Sequence, residues 1–253
     1  MKKYEQLIRD GYQFNMDQYL GKGWTMFKKG AGSLIGYAVI VIIATMVINF
    51  IPFVGLLSAF LQAAFVAGIF IFCRQMLSNR ENFNQLFEGF NSFGQIAVFV
   101  LLRFLFMLPL LVLLFTVIFP FEILSDLIRG DIDPEYIAEE VAIGIEGNLG
   151  TVFMAYLIMI IGFLYIYISY AFALPLIVDS KLEFWQAMEV SRKVIGKKFF
   201  MFLLMFLIIG IVAGIATAIT CGLGMFVVFP YIYCVVFAAY DDILKPQEED
   251  LSN

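Results

Sequence analysis

Residues 172–200 read FALPLIVDSKLEFWQAMEVSRKVIGKKFF. The stretch begins at the end of a long apolar run, passes Pro175 and a single aspartate, Asp179, and continues as a basic amphipathic segment that leads into another apolar run. This order predicts a membrane helix that leaves the bilayer, a helix that lies on its cytoplasmic face, and a re-entry into the bilayer. Similar segments precede two earlier pairs of apolar runs, so this unit organises the whole chain.

The composition places the chain among all-α integral membrane proteins. Of its 253 residues, 62% are hydrophobic and 15% are charged, whereas soluble domains carry about 25% charged residues. The apolar residues form runs of about 20 or more, the length an α-helix needs to cross a bilayer, and they lack the alternation typical of β-barrel strands. The net charge of −5 indicates no basic partner, because the charges are segregated along the chain. No nucleic-acid partner is expected.

We predict six transmembrane helices in three hairpins, within a single membrane domain. A cytoplasmic amphipathic segment, residues 1–30, precedes a six-span bundle over residues 31–240, and a cytoplasmic tail follows at residues 241–253. Residues 122–150 hold eight acidic residues and one basic residue and form the loop between spans three and four. The six spans are expected at about residues 31–50, 54–73, 96–119, 151–178, 199–220 and 223–240.

Each hairpin is predicted to follow a cytoplasmic interfacial amphipathic helix. In residues 17–29, 74–95 and 179–198, aromatic and aliphatic residues recur at three- and four-residue steps beside polar ones. That pattern is typical of a helix whose apolar side lies in the headgroup region. Residues 1–16 belong either to the first such segment or to a loosely ordered tail. The three units are either internal repeats or simply three hairpins.

Lysine and arginine residues set the expected orientation. Of the 16 in the chain, 14 lie in the N-terminal segment, in the 74–95 and 179–199 segments or in the tail, while the acidic loop holds only Arg129. The positive-inside rule therefore predicts that both termini are cytoplasmic and that the acidic loop is extracytoplasmic.

Basic residues supply the candidate contacts to lipid. Arg103 is the only charge well inside a predicted span, where an arginine either snorkels to lipid phosphate or forms an internal polar site or headgroup site. The other candidates form a cytoplasmic basic belt, which either only fixes the topology or also binds anionic lipid. The belt residues singled out as headgroup contacts are Lys28, Lys29, Arg192, Lys193, Lys197 and Lys198.

Two further features, a polar pair and a glycine pattern, each have two possible interpretations. Asp179 and Ser180 precede the third amphipathic segment and either cap its helix or form a polar site. Gly210 and Gly214 form a GxxxG pattern in the fifth span, which allows close helix contact, within the chain or between two copies.

The usual parts of an active site are missing from the sequence. The chain has no His, its three Cys show no metal-ligand spacing, and no Walker A, GxGxxG, HExxH or GxSxG motif occurs. No predicted span carries paired carboxylates. We therefore expect no enzyme activity, no cofactor and no metal.

Several short motifs resemble a broad family of bacterial polytopic membrane proteins, the one related to the membrane domain fused to some glycerophosphodiester phosphodiesterases. The resemblance covers nearly the whole chain and implies a six-helix bacterial membrane domain with no established activity of its own. No phosphodiesterase domain follows the sixth span, so hydrolytic activity is not carried over. The motifs are GWTMF at 23–27, ALPLIVD at 173–179, WQA at 185–187, Ser191-Arg192, GLG at 222–224, Pro230 and AAYD at 238–241.

Together these features predict a non-enzymatic, multi-pass protein of the bacterial inner membrane that interacts with anionic lipid or acts as a scaffold or regulator. The alternative is a small transporter or flippase-like protein, which would need a solvated cavity at mid-membrane. Expected partners are anionic headgroups, and a second copy of the chain or another membrane protein is a further class of partner.

Overall fold

The computed structural model describes residues 2–50, 54–118, 135–136, 139, 142 and 147–245. Of the acidic loop predicted at 122–150, residues 122–134 and most of 137–146 lie outside this set, as does the tail beyond Lys245. The described residues are helical with no strand, which confirms the all-α prediction. The helices are α1 Lys2–Asp10, α2 Met16–Lys29, α3 Ala31–Asn49, α4 Ser58–Leu77, α5 Phe93–Ile118, α6 Leu149–Ser169, α7 Ala173–Val178, α8 Phe184–Lys197, α9 Phe199–Ile219 and α10 Met225–Leu244, with short 3₁₀ helices at Val54–Leu57 and Phe83–Ser92.

Six helical stretches within the described residues are long and apolar enough to cross a membrane. They are α3, α4, α5 with the 3₁₀ helix before it, α6 with α7 after it, α9 and α10. Each of the six predicted spans therefore corresponds to a helical stretch that could cross a membrane, which is compatible with a multi-pass membrane protein.

Two predicted bounds were wrong. The second span does not stop at Arg74, because α4 continues to Leu77 and carries that arginine in its last turn. The fourth span agrees with its predicted bounds, at Leu149–Val178, although it consists of two helices, α6 and α7. The sixth span does not end at Tyr240, because α10 runs to Leu244.

The described chain forms two compact units. One comprises residues 1–100 and 168–253, and the other comprises residues 101–167. In the second unit, the Leu110 side chain lies against Gly162, and the Arg103 guanidinium carbon lies 5.0 Å from the centre of the Tyr167 ring.

In the first unit, α4 and α10 form the core. Their spans are 61% and 56% buried, compared with 22% for α3 and 17% for α9. Large aromatic side chains fill the space around them, including the fully buried Tyr37, Phe70 and Phe237. The Tyr37 hydroxyl donates to the carbonyls of Phe65 and Leu86 at 3.0 and 2.6 Å, so the one polar atom of this ring is satisfied.

Glycines allow the amphipathic segments to pack directly on this core. A Cβ on Gly68 of α4 would collide with the Leu86 carbonyl of the 3₁₀ helix, and one on Gly89 would collide with the Ala64 carbonyl. A Cβ on Gly23 of α2 would lie 2.6 Å from a methyl of Val235 in α10. Only glycine lets the backbones approach this closely.

The amphipathic segments therefore differ from the prediction. The 74–95 segment is not a separate α-helix but the end of α4, a loop and a 3₁₀ helix. The apolar side of α2 does not face headgroups alone, because Tyr19, Gly23 and Phe27 are buried. Packing on α4 and α10 offers these apolar residues more contacts than the bilayer surface does.

The GxxxG pattern makes no close contact with the described residues. A Cβ on either Gly210 or Gly214 of α9 would meet no described atom within 4 Å. Of the two alternatives for these glycines, the contact within the chain finds no support among the described residues, and the contact between two copies stays a prediction.

Candidate functional site: a buried charge cluster and a polar groove

Arg74 organises the most polar part of the described structure. Its Nε and Nη2 donate to the two carboxylate oxygens of Asp179, both at 2.9 Å, and its Nη1 donates to Asp241 at 2.7 Å. The bidentate geometry matches the planar guanidinium fork to the carboxylate. Arg74 lies in the last turn of α4, Asp179 follows α7, and Asp241 lies in the last turn of α10. These bonds therefore join three parts of the first unit.

Asp179 is the most buried charge of this group, with a side chain 7% exposed. Besides Arg74, its carboxylate receives the Tyr240 hydroxyl at 2.8 Å and lies 3.1 Å from the Lys245 ammonium. The Ser180 hydroxyl lies 2.7 Å from the Tyr240 hydroxyl and so closes the network. We call these six residues, Arg74, Asp179, Ser180, Tyr240, Asp241 and Lys245, the Arg74 cluster.

The cluster balances two cations against two carboxylates, which is what allows charge to be buried beside apolar spans. Burial raises the pKa of the Asp179 carboxyl, but the hydrogen bonds and positive charge of Arg74 outweigh burial and hold that pKa below its usual range. The ring of Phe237, fully buried, lies 4.9 Å from the Arg74 guanidinium carbon and adds a cation–π contact.

The expected helix cap at Asp179 or Ser180 was wrong. The helix α8 begins at Phe184 with Glu183 as its N-cap residue, and the Glu183 side chain makes no capping hydrogen bond. Instead, the Gln95 side-chain carbonyl accepts a hydrogen bond from the Phe184 N–H at 3.0 Å. Asp179 and Ser180 belong to a polar site, which was the second interpretation of these residues.

A polar groove of about 240 Å³ lies beside the Arg74 cluster. Arg74 and Asp179 contribute to its wall, and two apolar side chains, Ile71 and Val178, line it as well. The remaining lining side chains are Gln75, Glu88, Asn91 and Lys181. Within the described structure, none of these four makes a side-chain hydrogen bond or ion pair. The groove therefore presents unpaired polar groups to whatever occupies it.

The candidate lipid contacts lie mostly on exposed surfaces of the first unit. On α8, the side chains of Arg192, Lys193, Lys197 and Lys198 are exposed at or next to its last turns, and Lys193 pairs with Glu189 at 2.7 Å. On α2, the Lys28 ammonium lies 5.8 Å from the centre of the Trp24 ring.

Two candidates are engaged with other protein groups. The Lys29 ammonium donates to the Met76 carbonyl at 2.6 Å and to Asn79 at 2.7 Å, and it lies 3.4 Å from Glu81. Arg103 lies ten residues into α5, about 15 Å along the helix, and its guanidinium rests on Tyr167.

Sequence reasoning missed Arg74, Tyr240, Asp241 and Lys245 as members of a site. The available signal was an arginine placed one turn before the end of a long apolar run, together with an acid pair, Asp241-Asp242, at the end of another. Charges at span ends usually mark only the membrane boundary. The pattern was therefore used only to predict the orientation of the spans.

Among the described residues, no group of three His, Cys, Asp or Glu side chains lies close enough to hold a metal ion. In the described residues, the helical fold with six long apolar helices is compatible with a multi-pass membrane protein, and a partly buried charge cluster lies at the ends of its core helices. No family model, curated protein or solved structure matches the chain.

Proposed function

We propose that this chain is a non-enzymatic protein of the bacterial inner membrane that binds anionic phospholipid headgroups at its cytoplasmic side, as a lipid-interacting or scaffold protein. Its six spans would form three hairpins with both termini in the cytoplasm. The fold supports the number of spans, and the distribution of lysine and arginine supports the orientation.

The observation that carries the proposal is the division of α8 into two faces. Its inner face is buried and includes Val190, Val194 and Ile195. Its outer face exposes four cations, of which Lys193 forms an ion pair with Glu189 and Arg192 also interacts with that carboxylate. One carboxylate does not balance four cations. Because the apolar face is already covered by protein, the cations are left for an anion outside the chain, and a polybasic surface next to membrane spans attracts anionic lipid.

The relation to the membrane domain fused to some glycerophosphodiester phosphodiesterases is likewise a proposal. It would place the chain in bacteria and in the cytoplasmic membrane, with lipids as partners and with a second copy or another membrane protein as a further partner. Hydrolysis is not part of the proposal.

Transport is the less favoured function. A small transporter or flippase-like protein needs a solvated path at the depth of the middle of its spans. Residues 64–70, in the middle of α4, are all buried, and α4 packs there against Tyr37 and the 3₁₀ helix. Lipid binding needs no such path.

The proposal is tested by measuring which lipids the purified protein retains. The protein is equilibrated in detergent with equal amounts of phosphatidylglycerol and phosphatidylcholine, and bound lipid is counted by native mass spectrometry. We expect the wild type to prefer phosphatidylglycerol, and the variant R192Q/K193Q/K197Q/K198Q to lose most of that preference, because each cation near anionic lipid contributes about 1 kcal/mol.

Arg80→Gln is the matched control, because Arg80 is an exposed cation outside the candidate set. It should leave the preference unchanged. Arg103→Ala, measured in the same way, reports whether the arginine within α5 holds a separate headgroup. Equal retention of both lipids by the wild type, or an unchanged preference in the quadruple variant, would contradict the proposal.

A further inference from the structure

The unpaired groups of the polar groove have a definite charge pattern, which indicates the class of ligand that the groove would bind. Lys181 supplies one cation and Glu88 one anion, and the amides of Gln75 and Asn91 add hydrogen-bond donors and acceptors. The groups of the Arg74 cluster that border the groove are already paired with one another. The groove itself is therefore an open site with one charge of each sign.

The backbone holds Lys181 in a conformation that lysine rarely adopts. Its φ is +55°, in the left-handed region, where the Cβ of an ordinary residue lies too close to the following carbonyl oxygen. The preceding Ser180 is fixed by Tyr240, and the following Leu182 N–H bonds to the Leu176 carbonyl at 3.1 Å. Strain maintained by its surroundings is characteristic of ligand sites, and here it places the lysine in the wall of the groove.

The size of the groove limits the ligand. At about 240 Å³, it is smaller than the roughly 300–1,000 Å³ of pockets that enclose drug-sized ligands. It suits a small polar group. The partly exposed Ile71 in the wall suits a carbon chain attached to that group.

We propose that the polar groove binds a phosphate ester that carries a primary ammonium, the phosphoethanolamine group. The phosphate would meet Lys181 and the amide N–H groups of Gln75 and Asn91, and the ammonium would donate to Glu88. A purely anionic ligand would leave the Glu88 carboxylate unpaired, and a purely cationic ligand would leave Lys181 unpaired, so a ligand with both charges fits best. The inference rests on the proposed function, because it too makes a headgroup the ligand.

The same chemistry occurs in phosphatidylethanolamine and in soluble phosphoethanolamine. The experiment therefore has two arms. In the first, the purified full chain is equilibrated with equal amounts of phosphatidylethanolamine and phosphatidylcholine, and retained lipid is counted by native mass spectrometry. In the second, phosphoethanolamine is titrated into the delipidated protein by calorimetry.

The variants remove one charge at a time. Glu88→Gln keeps the shape of an exposed side chain and removes the acceptor charge. Lys181→Asn removes the cation and puts a residue that tolerates a positive φ in its place. The control is Glu183→Gln, an exposed carboxylate that does not line the groove.

We expect the wild type to prefer phosphatidylethanolamine over phosphatidylcholine, whose quaternary ammonium has no N–H to donate. Glu88→Gln should reduce that preference by about tenfold, the effect of one charge-assisted hydrogen bond. Lys181→Asn should reduce the retention of both lipids by a similar factor, because both carry the phosphate that Lys181 would meet, while the control should change neither. Binding in the first arm alone would identify the lipid as the ligand. Binding in both arms would show that the soluble ester is a ligand as well.

Equal retention of the two lipids by the wild type together with no binding of phosphoethanolamine, an unchanged preference in Glu88→Gln, or unchanged retention of lipid in Lys181→Asn would overturn the assignment. Failure here is distinguishable from failure of the proposed function. The basic surface of α8 is tested by phosphatidylglycerol and by other variants, and the two preferences can be lost independently.

Discussion

Arg74→Met is the substitution whose effect the structure specifies best. Methionine keeps the length and the apolar contacts of the side chain but removes three charge-assisted hydrogen bonds, two to Asp179 and one to Asp241. Asp179 would remain 7% exposed with only Lys245 and Tyr240 as partners. An isolated buried charge is much less stable than a paired one.

Breaking a buried ion pair by removing one partner costs about 3–5 kcal/mol. Lys245 still compensates part of the Asp179 charge, and Asp241, with a side chain 28% exposed, can be hydrated. We therefore expect a loss near the lower end, about 3 kcal/mol in the free energy of unfolding. The measurement is an SDS titration in mixed micelles, followed by circular dichroism.

The double variant Arg74→Met/Asp179→Asn separates pairing from burial. Because it removes the stranded charge, it should lose less than the sum of the two single variants, with a coupling energy of about 1–3 kcal/mol. Lys22→Met is the control, since Lys22 pairs with Asp242 of α10 at 3.3 Å but is 49% exposed, and such pairs contribute about 0–1 kcal/mol. A loss in Arg74→Met no larger than in this control, or strict additivity in the double variant, would refute the reasoning.

Three further predictions follow from the same structure. The pKa of Asp179 is lowered in the folded protein, so the ionised carboxylate stabilises the fold at pH values above the unfolded pKa of about 3.9. This stabilisation is lost as the pH falls through the lower pKa of the folded state. Asp179→Asn should therefore make the unfolding free energy depend less steeply on pH in the acid range, and an equally steep dependence would count against the prediction. Gly68→Ala should cost about 1–3 kcal/mol through overpacking, whereas Gly210→Ala, with no atom near its Cβ, should not destabilise; similar unfolding free energies for both would contradict the packing. In cells, an impermeant maleimide added from outside should label the exposed Cys221 but not the fully buried Cys73, and a Cys221 labelled only after lysis would reverse the proposed orientation.

Hydropathy and charge determined much of this protein without any structure. Whether an apolar run can cross a membrane depends on its own length and composition, and so the six helices were predictable. The exposure of Arg192, Lys193 and Lys197 followed from the amphipathic pattern of their segment. In the same way, the lone Asp179 stood out as a polar residue between two apolar runs.

Only the tertiary structure decided which residues contact one another. Arg74 meets acids 105 and 167 residues further along the chain, and no local pattern indicates which charge at the end of a span will face another. The glycines make the same point: Gly68 is in tight contact and Gly210 is open, although both lie within apolar helices. Span formation is determined by each segment's own free energy in lipid, whereas ion pairing and close packing depend on which backbones are brought together.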